Sequence, residues 1–267
     1  MNKFGLIYKH YLKRMTKTPL LLGIQIALPL FIINVMVGGA DFGDDPIAVG
    51  AIWSAIATNF AVSFAIFSGE WATGYIFDDL KEKNKFRLLA APVTEKTYRT
   101  AALAASMTVG IFCSLMVMIV TTILQPIIWS NVPMLIVTFI LMTILSHSFC
   151  YFITVAVKTY KQASPITMIT LMGLSILGGG IVMGLDSIIN NDVFQFIHDY
   201  VTPLSWGNRI MRYAGGWALE VEGVLATRIL TEIPTDWGIV GFNVGLFLGI
   251  SALFIILSQI IGRVKKS

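Results

Sequence analysis

The sequence predicts an all-α membrane protein with six transmembrane helices and both termini in the cytoplasm. Six apolar runs reach the length that a bilayer core requires of a helix, about 20 residues. With the N-terminus placed inside, 16 of the 19 Lys and Arg residues lie in inside segments, whereas ten of the 15 acidic residues lie outside. Basic residues resist translocation, so this asymmetry sets the predicted orientation. The six runs lie near residues 20–39, 47–69, 100–124, 132–157, 164–185 and 237–261.

The bulk composition predicts a single membrane domain over residues 1–267. Hydrophobic residues make up 56% of the chain and its mean hydropathy is +0.77. The net charge of +4 would suggest nucleic acid in a soluble protein, but the inside bias of the basic residues accounts for it, and no nucleic-acid partner is expected. Cys113 and Cys150 both fall inside predicted spans, so no disulfide is expected in the outer loops.

Residues 1–19 are predicted to form an interfacial amphipathic helix before the first span. Apolar residues recur at helical spacing, and the basic residues lie off that stripe. Such a helix lies at the headgroup level with its basic face toward anionic lipid, and Pro19 ends it. The alternative is a basic flank that only holds the topology. The stripe consists of Phe4, Ile7, Tyr8, Tyr11, Leu12 and Met15, and the basic residues are Lys3, Lys9, Lys13, Arg14 and Lys17.

The only sizeable inside loop, residues 70–99, is predicted to start with a charged helix. Apolar residues such as Leu80 and Phe86 interrupt the charges, and the stretch that ends in Pro92 stops the helix. Apolar side chains in so polar a segment favour docking of a cytoplasmic partner. The alternative is a solvated helix that shields its own membrane end.

One long outer segment, residues 186–236, is too apolar in part for a free loop. It is predicted to fold back into the outer leaflet or to cap the bundle. Trp206, Tyr213 and Trp217 are typical of an aromatic belt at a membrane interface. The helices predicted within it are Asn191–Tyr200, Leu204–Tyr213 and a short one around Val221–Leu230.

The chain carries no recognisable catalytic or nucleotide-binding motif. It lacks a P-loop, a CxxC pair and an HExxH sequence, and no metal site is expected. Carboxylates are nearly absent from the span interiors, which argues against an ion-coupled transporter, and no filter-like repeat indicates a channel.

Four polar residues inside the spans are candidates for a substrate path. Gln25, Asn34 and Asn59 either form hydrogen bonds between helices or line a path if they share a face. His147 lies mid-span, where an ionisable side chain is a functional candidate. The competing interpretation is a neutral imidazole that is hydrogen-bonded within the bundle.

Two short motifs bracket the 70–99 loop. The first is Gly69-Glu70-Trp71-Ala72-Thr73-Gly74 and the second is Leu88-Leu89-Ala90-Ala91-Pro92-Val93. With the six-span layout they resemble the permease subunit of bacterial ABC exporters of the type-2 class. Glu70, Gly74 and Pro92-Val93-Thr94 match the order of the family pattern, while Gly74-Tyr75-Ile76-Phe77 departs from its usual Gly-Thr run. Thr202–Trp206 with Arg212 resembles the family's outer Pro-aromatic segment, so the resemblance covers essentially the whole chain.

The resemblance implies an interfacial helix, a coupling helix between spans two and three, and a re-entrant outer helical hairpin before span six. It also implies a transport subunit in the bacterial plasma membrane that is not itself an enzyme and holds no cofactor. A separate cytoplasmic ABC ATPase, in two copies, would carry ATP and Mg, and a second six-span permease, identical or related, would complete the pore. The segment Phe77–Leu89 would dock the ATPase, oriented by Glu70 and Arg87. The coupling residues expected on this basis are Glu70, Gly74, Phe77, Asp79, Leu80, Phe86, Arg87, Leu88 and Pro92.

The cargo is expected to be hydrophobic or amphipathic, because the outer loops are short and the spans apolar. An antimicrobial peptide, a lipopeptide or a drug fits, which would make the chain part of an efflux system for antibiotic resistance or bacteriocin immunity. One alternative is a polysaccharide or lipid-linked polymer exporter. The other is a non-transporting membrane scaffold or an intramembrane enzyme.

Overall fold

The computed structural model describes residues 3–38, 57–82, 93–125, 129, 131–178, 192–214, 217–222, 227–232 and 234–264. This part of the chain is a helical bundle with one two-stranded hairpin. Two π-helical turns, Asp78–Glu82 and Ile197–Val201, directly follow the α-helices Ser68–Phe77 and Asp192–Phe196. The helices are α1 (Lys3–Thr16), α2 (Pro19–Gly38), α3 (57–66), α4 (Ser68–Phe77), α5 (Glu95–Leu124), α6 (Val132–Ala156), α7 (Tyr160–Leu177), α8 (Asp192–Phe196), α9 (Pro203–Tyr213) and α10 (Trp237–Val264). The strands are β1 (Trp217–Glu222) and β2 (Thr227–Glu232).

Within the described residues, three helices are long and apolar enough to cross a membrane: Glu95–Leu124, Val132–Ala156 and Trp237–Gly262. They coincide with the third, fourth and sixth predicted spans. A shorter apolar helix, Leu22–Val35, lies within the first. Parts of the second and fifth predicted spans lie outside the described residues, so the total of six remains a prediction.

Helix α6 occupies the centre of the bundle. It packs against α4, α5, α7, α9 and α10, and it buries Leu135, Phe139 and Met142 completely. Asn131 caps its first turn, because the side-chain oxygen accepts a hydrogen bond from the Met134 backbone N–H at 3.1 Å. A helix enclosed on so many sides sets the position of the others.

The predicted N-terminal helix is present as α1, which ends at Thr16, and Pro19 opens α2. Its apolar stripe faces protein in part, because Ile7, Tyr11 and Met15 are buried. These three belong to an apolar cluster that also includes Ile76, Leu80, Ala101 and Ala105. Helix α1 is therefore packed onto α4 and α5 along this stripe.

The prediction of a short helix around Val221–Leu230 was wrong. Strands β1 and β2 pair antiparallel there, with Val221 opposite Arg228 and Glu220 opposite Ile229. In β1, the larger apolar residues Trp217, Leu219 and Val221 alternate with smaller or acidic ones. A period of two is typical of strands and incompatible with a helix face, which explains the difference.

The two helices predicted before the β1–β2 hairpin, Asn191–Tyr200 and Leu204–Tyr213, are confirmed in type and approximate position. Helix α8 with its π-turn is separated from α9 by Thr202, and Pro203 occupies the first turn of α9. A Cβ added at Gly178, just after α7, would lie 2.7 Å from the Leu204 Cβ. The backbone of Gly178 at the end of α7 therefore packs against the Leu204 side chain at the start of α9.

Candidate functional site

The start of the 70–99 loop is held against α1 by a buried carboxylate. Arg14 Nη1 lies 2.9 Å and 2.8 Å from the two carboxylate oxygens of Asp79, and the Tyr11 hydroxyl donates to Asp79 Oδ2 at 2.7 Å. The Arg14 guanidinium also lies 4.7 Å from the centre of the Tyr75 ring, a cation–π distance. We refer to Tyr11, Arg14, Tyr75 and Asp79 as the Asp79 cluster.

The Tyr11 phenol is a permanent donor in this cluster. Burial raises the pKa of Tyr11 far above its usual range, and the nearby Asp79 carboxylate raises that pKa further. The hydroxyl therefore keeps its proton at physiological pH. Asp79 consequently receives both an ionic partner and a neutral donor from α1, a charge-assisted arrangement that is stronger than a neutral pair.

Three of the predicted ATPase contacts point into the chain. Phe77 is fully buried, the Asp79 residue is 5% exposed, and Leu80 is 9% exposed. The Phe77 ring lies 6.1 Å from the Tyr160 ring at the start of α7, and Leu80 belongs to the apolar cluster that includes Ile7, Tyr11 and Met15 of α1. In this chain these side chains anchor the loop to the bundle, and whether they also affect ATPase docking stays a prediction.

Glu70 joins α4 to α7. Its Oε1 accepts hydrogen bonds from the Tyr160 hydroxyl at 3.0 Å and from the Ser164 hydroxyl at 2.8 Å. Gly74, one turn further along α4, lies under the Tyr160 ring, since an added Cβ would be 3.6 Å from its hydroxyl oxygen. Glu70 and Gly74, both predicted coupling residues, thus meet the same tyrosine.

Removing the Glu70 carboxylate should weaken the α4–α7 contact. We expect Glu70→Ala to lower the stability of the purified protein by about 1–3 kcal/mol, because two hydroxyl donors lose a charged acceptor. Tyr160→Phe removes one of the two bonds and should cost less. Thermal unfolding in detergent, with Glu95→Ala as an exposed acidic control, measures both losses, and an unchanged melting temperature in Glu70→Ala would contradict the contact's importance.

The remaining predicted coupling residues, Phe86, Arg87, Leu88 and Pro92, lie outside the described residues. Their assignment rests on the sequence alone.

Three of the four predicted substrate-path residues, Asn34, Asn59 and His147, bond to separate partners. Asn34 Oδ1 accepts from Gln125 Nε2 at 2.8 Å, and Asn59 Oδ1 accepts from Asn208 Nδ2 at 3.1 Å. His147 Nδ1 lies 2.8 Å from the Thr143 carbonyl oxygen on its own helix. Gln25 is 7% exposed. Asn34 and Asn59 thus bond to residues on other parts of the bundle, and their place on a substrate path stays a prediction.

A break between α3 and α4 was not foreseen from the sequence. At Phe67 the helix is interrupted, and hydroxyl groups from two neighbouring helices bond to the freed backbone. Ser146 Oγ donates to the Ile66 carbonyl and accepts from the Gly69 N–H at 3.1 Å, while Ser106 Oγ donates to the Ser68 carbonyl at 3.2 Å. Buried helix breaks require such replacement partners. The only sequence signal was Ser68-Gly69 beside the predicted span end.

The α8–α9 pair contains a serine, a histidine and an aspartate within hydrogen-bonding distance of one another. His198 Nδ1 lies 3.1 Å from Asp199 Oδ1, and His198 Nε2 lies 3.2 Å from Ser205 Oγ. Asp199 also forms an ion pair with Arg209 at 2.8 Å. Ser205 is only 3% exposed and bonds to Thr202 Oγ1 at 2.7 Å. A serine nucleophile must be reachable by its substrate. These hydrogen bonds are therefore better explained as structural contacts that hold α8 and its π-turn against α9.

Among the described residues, no three His, Cys, Asp or Glu side chains are grouped so as to hold a metal ion.

A comparison with protein families decides the identity. The model of the ABC-2 type transporter family matches residues 2–214. The chain belongs to this family. The match includes α1, the Asp79 cluster, the α3–α4 break and the outer α8–α9 pair. A search of curated proteins found no match.

Membership settles the coarse function. ABC-2 membrane domains are transport subunits that work with ATPase subunits, and in general they act as dimers. The family and the apolar helices together indicate an integral membrane protein. The ABC type-2 permease resemblance is thereby confirmed.

Proposed function

We propose that this ABC-2 chain is the permease subunit of an ATP-driven exporter in a bacterial plasma membrane. The family match over residues 2–214 carries the proposal. The cargo is a hydrophobic or amphipathic molecule, such as an antimicrobial peptide, a lipopeptide or a drug. A separate cytoplasmic ATPase, in two copies, binds ATP and Mg, and a second permease completes the pore.

Coupling in such a complex depends on differential binding. ATP can drive the pore from one state to another only if the ATPase binds the coupling loops of the two states with different affinity. The start of the loop must therefore be held firmly to the helical bundle, so that movement of the ATPase also moves the bundle. The contacts of Glu70 with α7 and of Asp79 with α1 support this role, because they attach the loop's start on two sides.

The surface that meets the ATPase is then expected further along the loop, at Phe86, Arg87 and Leu88. Phe77 and Leu80 are buried within the chain, so they are poorly placed for a partner. Within the docking segment Phe77–Leu89, the later residues are therefore proposed as the contact surface.

Purification of the tagged protein in mild detergent from its own host, followed by mass spectrometry, tests the proposal. We expect a soluble P-loop ATPase at about one copy per permease, and any second six-span protein would identify a heterodimer. Absence of an ATPase from a folded, dimeric preparation would contradict the exporter and favour a scaffold or an intramembrane enzyme.

Two glutamate substitutions should separate docking from folding. Phe86→Glu is expected to reduce the ATPase recovered while the permease keeps its melting temperature. Leu80→Glu is expected to destabilise the permease by at least about 2 kcal/mol, because it removes a packed leucine and places a carboxylate in an apolar cluster. Recovery of normal ATPase levels with Phe86→Glu would exclude that residue from the interface.

A further inference from the structure

Helix α1 is attached to two parts of the bundle at once. Through Tyr11 and Arg14 it bonds to Asp79 at the start of the coupling loop. Along the same helix the Tyr8 hydroxyl lies 2.9 Å from Thr108 Oγ1 on α5. Its last residue, Thr16, is followed after two residues by α2. Asp79 is thus bonded to a helix that leads directly into α2.

The Asp79 side chain is enclosed by α1. It is 8% exposed, whereas the neighbouring Asp78 side chain is 36% exposed and 3.7 Å from Arg14 Nη2. A carboxylate so enclosed is poorly placed to reach a docking ATPase. One nitrogen of the Arg14 guanidinium, Nη1, lies 2.9 Å and 2.8 Å from the two Asp79 carboxylate oxygens, so both oxygens share a single charged donor group.

A second contact holds the guanidinium in place. Arg14 stacks over the Tyr75 ring, and the Tyr75 hydroxyl lies 3.2 Å from Thr18 Oγ1 in the short link between α1 and α2. The loop side of the Asp79 cluster thus supplies Tyr75 and Asp79, α1 supplies Tyr11 and Arg14, and Thr18 contacts the cluster through Tyr75.

We infer that Asp79 is a positioning residue that locks the coupling loop to α1, so that α1 moves with the loop when ATP is bound. This inference rests on the proposed function, since it assumes an ATPase that moves the loop. It assigns α1 the role of a moving link to α2 and α5, in addition to any contact with lipid headgroups.

Distance measurement by electron spin resonance tests the motion directly. Spin labels are attached to Lys9→Cys on α1 and Thr235→Cys before α10, both exposed positions. The native Cys113 and Cys150 are 1% and 0% exposed, so labelling is directed to the introduced thiols. Labelled permease is diluted with unlabelled permease in the ATPase complex, and the distance is recorded with and without ATP and vanadate.

We expect an ATP-dependent distance shift in the otherwise native complex and its loss in Asp79→Asn and Arg14→Ala, with ATPase recovery unchanged. The exchange Arg14→Asp with Asp79→Arg should restore the shift. Arg14→Lys keeps the charge but loses the planar guanidinium that lies over the Tyr75 ring. It should retain part of the shift, and it serves as the test if the stronger variants do not fold. Lys13→Ala, an exposed basic position next to Arg14, is the matched control and should keep the full shift.

The possible failures can be told apart. If no ATPase accompanies the permease, the proposed function fails. If the ATPase binds and hydrolyses ATP but the α1 distance is constant, or if Asp79→Asn keeps the full shift, the positioning role of Asp79 is overturned while the exporter assignment stands.

Discussion

Gly69→Ala should strongly destabilise the protein. A Cβ at this position would lie 2.5 Å from Ser146 Oγ and 2.9 Å from the Ser146 backbone carbonyl carbon. The hydroxyl cannot rotate away freely, because it bonds both to the Ile66 carbonyl and to the Gly69 N–H. Overpacking of this kind costs about 1–3 kcal/mol, and more where backbone must shift. We expect a clear drop in melting temperature, measured by size-exclusion chromatography after heating.

Other glycines in the chain provide matched controls for Gly69→Ala. An added Cβ at Gly173 or Gly241 meets nothing within 4 Å, so alanine there should leave the melting temperature unchanged or raise it slightly, since alanine favours helix. Gly110→Ala, whose Cβ would lie 2.7 Å from the Ser68 Cβ, should resemble Gly69→Ala. If Gly69→Ala melted like Gly173→Ala, the close packing around the α3–α4 break would be refuted.

The sequence could predict those features that depend on local pattern. The stripe of Ile7, Tyr11 and Met15 has helical period, and α1 forms at that place. Charge alternation and run length predicted the long apolar helices α5, α6 and α10, which the structure contains. Such signals need no knowledge of which helices become neighbours.

The site was less predictable, because its contacts join residues that are distant in the chain. Asp79 and Arg14 are 65 positions apart, and Glu70 and Ser164 are 94 apart. The sequence does not show whether a charged loop residue contacts solvent, a partner subunit or an arginine of its own chain. The role of Asp79 as a coupling residue stays a prediction, and its enclosure by α1 could not be deduced from the sequence.

Trp206 shows the same limit in an aromatic residue. Its position in the outer segment, with Tyr213 and Trp217, was typical of an interface belt. In the structure Trp206 is 1% exposed, and its ring lies 5.3 Å from the Phe247 ring of α10 in an edge-to-face arrangement. The placement of Trp206 in a belt was therefore wrong, because tertiary packing of α9 against α10 covers the residue.

Trp206→Ala should release the outer hairpin from the bundle. Emptying a buried tryptophan site costs about 3–5 kcal/mol, and the ring is the largest fully buried side chain among the described residues. Trp206→Phe keeps an aromatic partner for Phe247 and should cost much less. Trp237→Ala is a suitable control, since Trp237 is 65% exposed. Thermal unfolding, together with limited proteolysis of the outer segment, measures the effect.

Trp206 lies where α9 packs against several helices at once. The next residue, Gly207, approaches two other helices, since an added Cβ would lie 3.0 Å from Thr138 Cγ2 and 3.2 Å from Val62 Cγ1. Helix α9 is thus seated between α3, α6 and α10, and loss of Trp206 should loosen all three contacts together. Faster proteolysis of the outer segment in Trp206→Ala, with the rest of the chain still protected, would locate the loss at α9. Uniform loss of protection would instead mean that α9 is required for the whole bundle, and unchanged protection would contradict the packing of Trp206.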